Sequence, residues 1–215
     1  MSCTRCPRLR AYCARVAKEK RAAFRDEVYW GRPVPGFGDR RGRILVLGLA
    51  PAAHGANRTG RVFTGDRSAD FLLNAMHGAG FANVPTSRHA KDGLKLKDAY
   101  ITAVIRCAPP ENKPTPKEIA NCSSFLEAEL AALTQVRTIV TLGKVAFDAY
   151  WRLIARYGVT PRPRPHFAHG FVFQAPGVPA LVASYHPSQQ NTNTGKLTPP
   201  MLASVFAKAK KIASG

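Results

Sequence analysis

The sequence predicts an α/β fold, a three-layer α/β/α sandwich around a four-stranded, mostly parallel sheet. Three observations lead there. Four short apolar runs recur along the chain, each of the length and branched composition of a buried strand. Stretches with one apolar face at helical spacing lie between them, the alternation that puts helices on both faces of a parallel sheet. The 215 residues are 45% hydrophobic, enough for one core, and no repeat, low-complexity tract or polar linker divides them, so residues 1–215 are expected to form a single domain.

Taken in order, residues 9–26 read as a basic helix and residues 30–42, with Pro33, Pro35, Gly36, Gly38 and Gly42, as an ordered loop. The first strand is residues 43–49. A helix over 68–79 follows, with Phe71, Leu72, Ala75 and Met76 on its apolar side, and then a second strand over 100–105. The helix over 116–133 has the strongest start signal in the chain: Thr115 as N-cap, Pro116 at N1 and Glu118 at N3 form a capping box. Thr138–Leu142 is the third strand, 145–157 a helix, 171–174 a short edge strand and Ala180–Ser184 the fourth main strand. A basic amphipathic helix over 200–213, capped by Thr198, closes the chain.

Thirty-two Lys and Arg against 13 Asp and Glu leave a net charge of +19. Self-repulsion of that size is tolerated where a polyanion is the partner, and its spread along the chain points to a folded basic face more than to a tail. The longest nearly unbroken apolar run, residues 44–53, is far short of the ~18 residues a membrane span needs. The N-terminus opens on cysteines and arginines with no leading apolar block, so no secretory signal is read there. The expected setting is cytoplasmic and nucleoid-associated.

In parallel α/β sheets ligands bind beyond the carboxyl ends of the strands. Here those ends carry 48–66, 106–113 and 185–191, where glycine, histidine and polar residues concentrate. Asp66, Asn112 and His186 each follow a different strand, a constellation that phosphate binding alone would not require. Glycine-rich nucleotide motifs are absent: Gly36, Gly38 and Gly42 precede the first strand instead of following it, and Gly195-Lys196 lacks the rest of a P-loop.

Five cysteines without a secretory context argue against a disulfide framework. Cys3 and Cys6 form a C-x2-C pair, Cys107 and Cys122 stand fourteen residues apart, and Cys13 is separate. Four thiolates in two distant pairs suit Zn²⁺ or a [4Fe–4S] cluster; the split second pair favours the cluster, in a structural role. Charge and cysteines by themselves fit equally a non-catalytic nucleic-acid-binding module stabilised by that cluster.

Residues 48–66 (GLAPAAHGANRTGRVFTGD), 106–114 (RCAPPENKP), 184–191 (SYHPSQQN) and 29–39 (YWGRPVPGFGD), with the four cysteines, together resemble the uracil-DNA glycosylase superfamily, most closely its family 5 or type B enzymes. The resemblance spans nearly the whole chain. It implies excision of uracil, and of hypoxanthine and other modified bases, from double-stranded DNA by a monomeric, monofunctional glycosylase that starts base excision repair. It also implies a [4Fe–4S] cluster on Cys3, Cys6, Cys107 and Cys122.

The chemistry gives each site residue a role. Departure of a base leaves an oxocarbenium-like sugar and a growing negative charge on the base. The resemblance gives His186 the role of donor to that base and Asp66 the role of directing water; Asp66 is also placed to cap the following helix. Ala50 stands where the best-known branch has aspartate, which removes the usual general base. Phe63 is the stacking platform for a flipped base. Residues 101–104 lack the amide by which tighter enzymes read uracil, so Asn112 is the candidate substitute and a broader base range is expected. Gly55, Asn57, Arg58 and Arg61 would grip phosphates together with Ser188, and Asn191 ends the stretch where relatives insert a wedge. His54 sits near the sugar and its water or in a loop-stabilising hydrogen bond, while His166 and His169 read as surface-loop residues.

Overall fold

The computed structural model describes residues 2–215. Thirteen elements follow one another: α1 (Pro7–Glu19), β1 (Phe37–Gly38), β2 (Ile44–Gly48), α2 (Ala56–Thr59), α3 (Arg67–Gly78), β3 (Ala99–Ala103), α4 (Pro116–Ala132), β4 (Thr138–Leu142), α5 (Lys144–Ala155), β5 (Val172–Phe173), β6 (Ala180–Ser184), α6 (Gln189–Asn193) and α7 (Pro199–Ser214). The sheet runs β1-β3-β2-β4-β6-β5. Its four inner strands are parallel, as expected, and a two-residue antiparallel strand closes each edge. The sheet therefore has six strands: the four main ones predicted, the short edge predicted at 171–174, and one more at 37–38. The extra edge at 37–38 falls inside the Pro- and Gly-rich segment, too short to carry a period-two pattern.

Period-two alternation sorts the strand residues between two cores. Ile44, Val46, Ile101, Val140 and Val182 face α3 and α7, whose Leu72, Leu73, Met76, Leu202, Val205 and Phe206 complete one cluster. Leu45, Leu47, Ile139, Leu181 and Ala183 face the other way, onto Leu9 and Cys13 of α1, Leu126 of α4, and Phe147, Tyr150, Trp151 and Ile154 of α5. Burial on both faces is what makes these strands read as continuous apolar runs.

Helix α1 stops at Glu19, not 26. Its buried face ends at Val16, residues 18–21 are all charged, and Lys20 turns left-handed at φ 53°. The capping box at Thr115 forms as predicted. Thr198 precedes α7 without a side-chain cap; the helix opens on Pro199 and Pro200, which leaves no N–H at N1 or N2. Arg8 on α1 forms an ion pair with Glu118 in the first turn of α4 at 2.7 Å, and Arg5 donates to Ser124 Oγ, so the N-terminal helix is clasped to the middle of the chain.

Candidate active site

The loops leaving β2, β3 and β6 converge. Ala50, Pro51, Phe63 and Asp66 from the first, Asn112 from the second, and His186, Ser188 and Gln189 from the third line one cavity of about 570 Å³. It adjoins a broad open groove of about 1020 Å³ that shares Asp66, Arg67, Asn112 and Gln189 and adds His54, Gly55, Arg21 and Arg88.

Asp66 caps α3: its Oδ1 accepts the Ala69 N–H at 2.9 Å. The other oxygen turns toward Gly55, where a Cβ would sit 2.2 Å from Oδ2. Burial is the main influence on this carboxyl and raises its pKa against the lowering pull of the helix amides. Asp66 is thus both a cap and a half-buried carboxylate facing the site.

Tyr185 and His186 continue from β6. Burial lowers the His186 pKa to about 4, so its imidazole is neutral near pH 7 and offers one N–H. Its ring lies 6.1 Å from that of Phe63. Phe63 is held at φ 45°, a left-handed conformation uncommon for a bulky residue, and its ring occupies the space that a Cβ on Gly48 would need. A strained backbone therefore presents this aromatic face to the cavity.

Asn112 is exposed at the rim, and both it and Glu111 are left-handed (φ 56° and 53°). Ser188 caps the short helix α6, its Oγ accepting the Asn191 N–H at 3.4 Å. Asn191 does not project: its Nδ2 donates to the His186 carbonyl at 2.8 Å and fixes the loop. The exposed tips here are Gln189 and Gln190.

Three polar residues expected to grip phosphate are internal struts instead. Asn57 is fully buried, its Nδ2 donating toward the Cys13 and Ala53 carbonyls. Arg58 pairs with Glu27 at 2.5 Å, donates to the His54 and Gly65 carbonyls, and lies over the Phe24 ring. Arg61 pairs with Asp92 at 2.7 Å and donates to Thr64 and Ser87. Polar side chains in a motif are hidden from solvent when distant chain segments supply their partners, and local sequence carries no sign of that. His54 bonds Tyr29 Oη through Nδ1 at 3.0 Å, the loop-stabilising alternative, while still lining the groove. His166 is exposed as expected, but His169 is tucked against Tyr185.

Cys3, Cys6, Cys107 and Cys122 line a second, small cavity between α1, the β3 exit and α4. Asn121 Nδ2 points at Cys6 Sγ (3.7 Å) and Arg10 at Cys107 Sγ (4.0 Å). Cys13 is buried beside Cys107, with its thiol donating to the Ala108 carbonyl at 3.6 Å. Among the described residues no three His, Cys, Asp or Glu side chains surround a common point as ligands of one ion. An all-thiolate set of four is the donor chemistry that a [4Fe–4S] cluster or a structural zinc ion takes.

A sequence model of the Uracil DNA glycosylase superfamily matches residues 35–210. The chain belongs to the uracil-DNA glycosylase superfamily. It is 52% identical over 212 residues to the type-5 uracil-DNA glycosylase of Mycobacterium tuberculosis, covering 98% of this chain and 78% of that protein. Identity is 50% to the type-5 enzyme of Thermus thermophilus, covering 99% of this chain and 94% of the relative. The type-4 uracil-DNA glycosylase of Archaeoglobus fulgidus is 35% identical over 56% of this chain and 53% of its own. These relatives place the chain in the type-5 branch of the uracil-DNA glycosylase superfamily. Cys107 and Cys122 lie inside the superfamily match and Cys3 and Cys6 ahead of it, so the cysteine cavity joins the common fold to the N-terminal helix.

Proposed function

We propose that the protein is a monofunctional DNA glycosylase that flips uracil, and also hypoxanthine, out of double-stranded DNA and hydrolyses its N-glycosidic bond. The observation that carries this is the meeting of Asp66, Asn112 and His186, from three separate loops, in one cavity. Flipping costs a few kcal/mol, and stacking on Phe63 offsets part of it. As the C1′–N bond breaks, its electron pair stays with the base, and the neutral His186 donates a hydrogen bond to the oxygen that gains the charge. Asp66, ionised, orients water toward C1′ of the cationic sugar and accepts its proton as the new C–O bond forms. Ala103, at the end of β3, gives the cavity wall no amide there, which leaves room for a purine and weakens discrimination for uracil.

The exposed Arg21, Arg67 and Arg88 line the groove where the duplex backbone would run, with the Ser188 hydroxyl hydrogen free for a phosphate. Cys3, Cys6, Cys107 and Cys122 would hold a [4Fe–4S] cluster, whose bonds when present supply a covalent pin for α1 and no chemistry at the base. The enzyme is read as acting as a monomer.

Base excision from labelled duplexes, each carrying one uracil or one hypoxanthine, tests the proposal. Scission that requires alkali and falls at least about a hundredfold in His186→Ala is the expected result. Salt-sensitive binding with no excision of either base would make the protein a binding module instead.

A further inference from the structure

We propose that His169 is the positioning residue that aims His186. The imidazole of His186 has no hydrogen bond to any side chain or backbone group among the described residues, although its ring is the proposed donor to the leaving base. Its aim is therefore set by the backbone on either side of it. On the C-terminal side Asn191 holds the His186 carbonyl at 2.8 Å. On the N-terminal side the ladder beside β6 runs out: Gly170 N–H donates to the Ala183 carbonyl at 2.7 Å and Ala183 N–H to the Phe171 carbonyl at 2.9 Å, and no backbone acceptor follows for Tyr185. His169 Nδ1 accepts the Tyr185 N–H at 3.2 Å in place of that missing carbonyl. The same ring stacks on Tyr185 at 5.2 Å and 29°, and Phe167 meets Tyr185 edge-on at 5.9 Å. One side chain thus extends the strand by one residue, up to the donor itself.

The arrangement demands that Nδ1 be unprotonated. Partial burial and the nearby Lys208 of α7 disfavour the imidazolium. His169 does not touch substrate in this scheme; it acts through Tyr185 and His186, and so the inference rests on His186 being the donor.

Two variants separate the acceptor from the packing. His169→Phe keeps an aromatic ring on Tyr185 and loses the acceptor, while His169→Asn places an amide oxygen near the position of Nδ1. The expected result is a single-turnover excision rate about tenfold or more lower in the first, with duplex affinity within about twofold of wild type, and recovery to within about threefold in the second. Equal rates in wild type and His169→Phe, no recovery in His169→Asn, or a loss confined to affinity would overturn it. Nitrogen-15 spectra of the wild-type protein give a test that needs no variant and no activity. A coupling between the Tyr185 amide and His169 Nδ1, with His186 ring signals that shift as His169 is protonated, is expected; absence of both overturns the positioning role. A wild type that excises neither base while showing that coupling would instead refute the glycosylase reading alone.

Discussion

Gly55 and Asp66 show how a single missing carbon can serve a site. Eleven residues apart, they pack so closely that an alanine at 55 would put its Cβ 2.2 Å from Asp66 Oδ2, while Oδ1 is tied to the α3 amide. Gly55→Ala is expected to displace the carboxylate and lower the single-turnover rate by about a hundredfold, with duplex affinity retained. An unchanged rate would mean that this oxygen does not direct the water. The raised pKa of Asp66 sets a direction as well: the carboxylate must be ionised to accept a proton, so activity falls as pH drops through that raised value. Asp66 and His186 were legible as cavity residues because strand ends can be read from apolar runs, and polar residues concentrate in the loops that leave them. Asn57, Arg58 and Arg61 sit in the same motif with the same composition, yet Glu27, Asp92 and the Cys13 carbonyl draw them inward. His169 was read as surface for the mirror-image reason: its partner is the Tyr185 N–H, sixteen residues on.

Among elements, α1 depends on α4. Glu118 belongs to the α4 capping box and also accepts two hydrogen bonds from Arg8, which hold its carboxyl down at about 2 against an ordinary 4.5. A carboxylate with a lowered folded-state pKa stabilises the fold above its unfolded value and loses that contribution as pH falls through the folded one. The stability gap between wild type and Arg8→Ala, measured by urea titration, should therefore be present at pH 7 and shrink between pH 4.5 and about 2. A gap that does not change with pH would show that Arg8 acts through packing. The capping box was readable from four residues, because its chemistry is local. The end of α1 was not, since the basic run after Val16 has helical propensity and only the lack of anything to bury against stops it. The edge strand at 37–38 follows the same logic: two residues cannot display alternation, and pairing with β3 creates it.

For the whole molecule the excess of positive charge is divided between two tasks. Arg8, Arg43, Arg58, Arg61 and Arg106 are bound to carboxylates within the fold, whereas Arg21, Arg67 and Arg88 stand exposed along the groove. Duplex affinity should fall steeply with salt, and replacing Arg21 and Arg67 by alanine should flatten the log–log slope by about one per phosphate contact removed. Arg61→Ala should lower the melting temperature and leave the slope alone. Equal slopes in all three proteins would place the DNA elsewhere. The clasp between Arg8 and Glu118 has a consequence in time. Its partners are 110 residues apart in the chain, and a ribosome adding roughly 5–20 residues per second leaves α1 without its dock for roughly 5–20 s. The first helix to be made is thus finished well before the helix that clasps it, and a nascent chain arrested before α4 would lack that clasp.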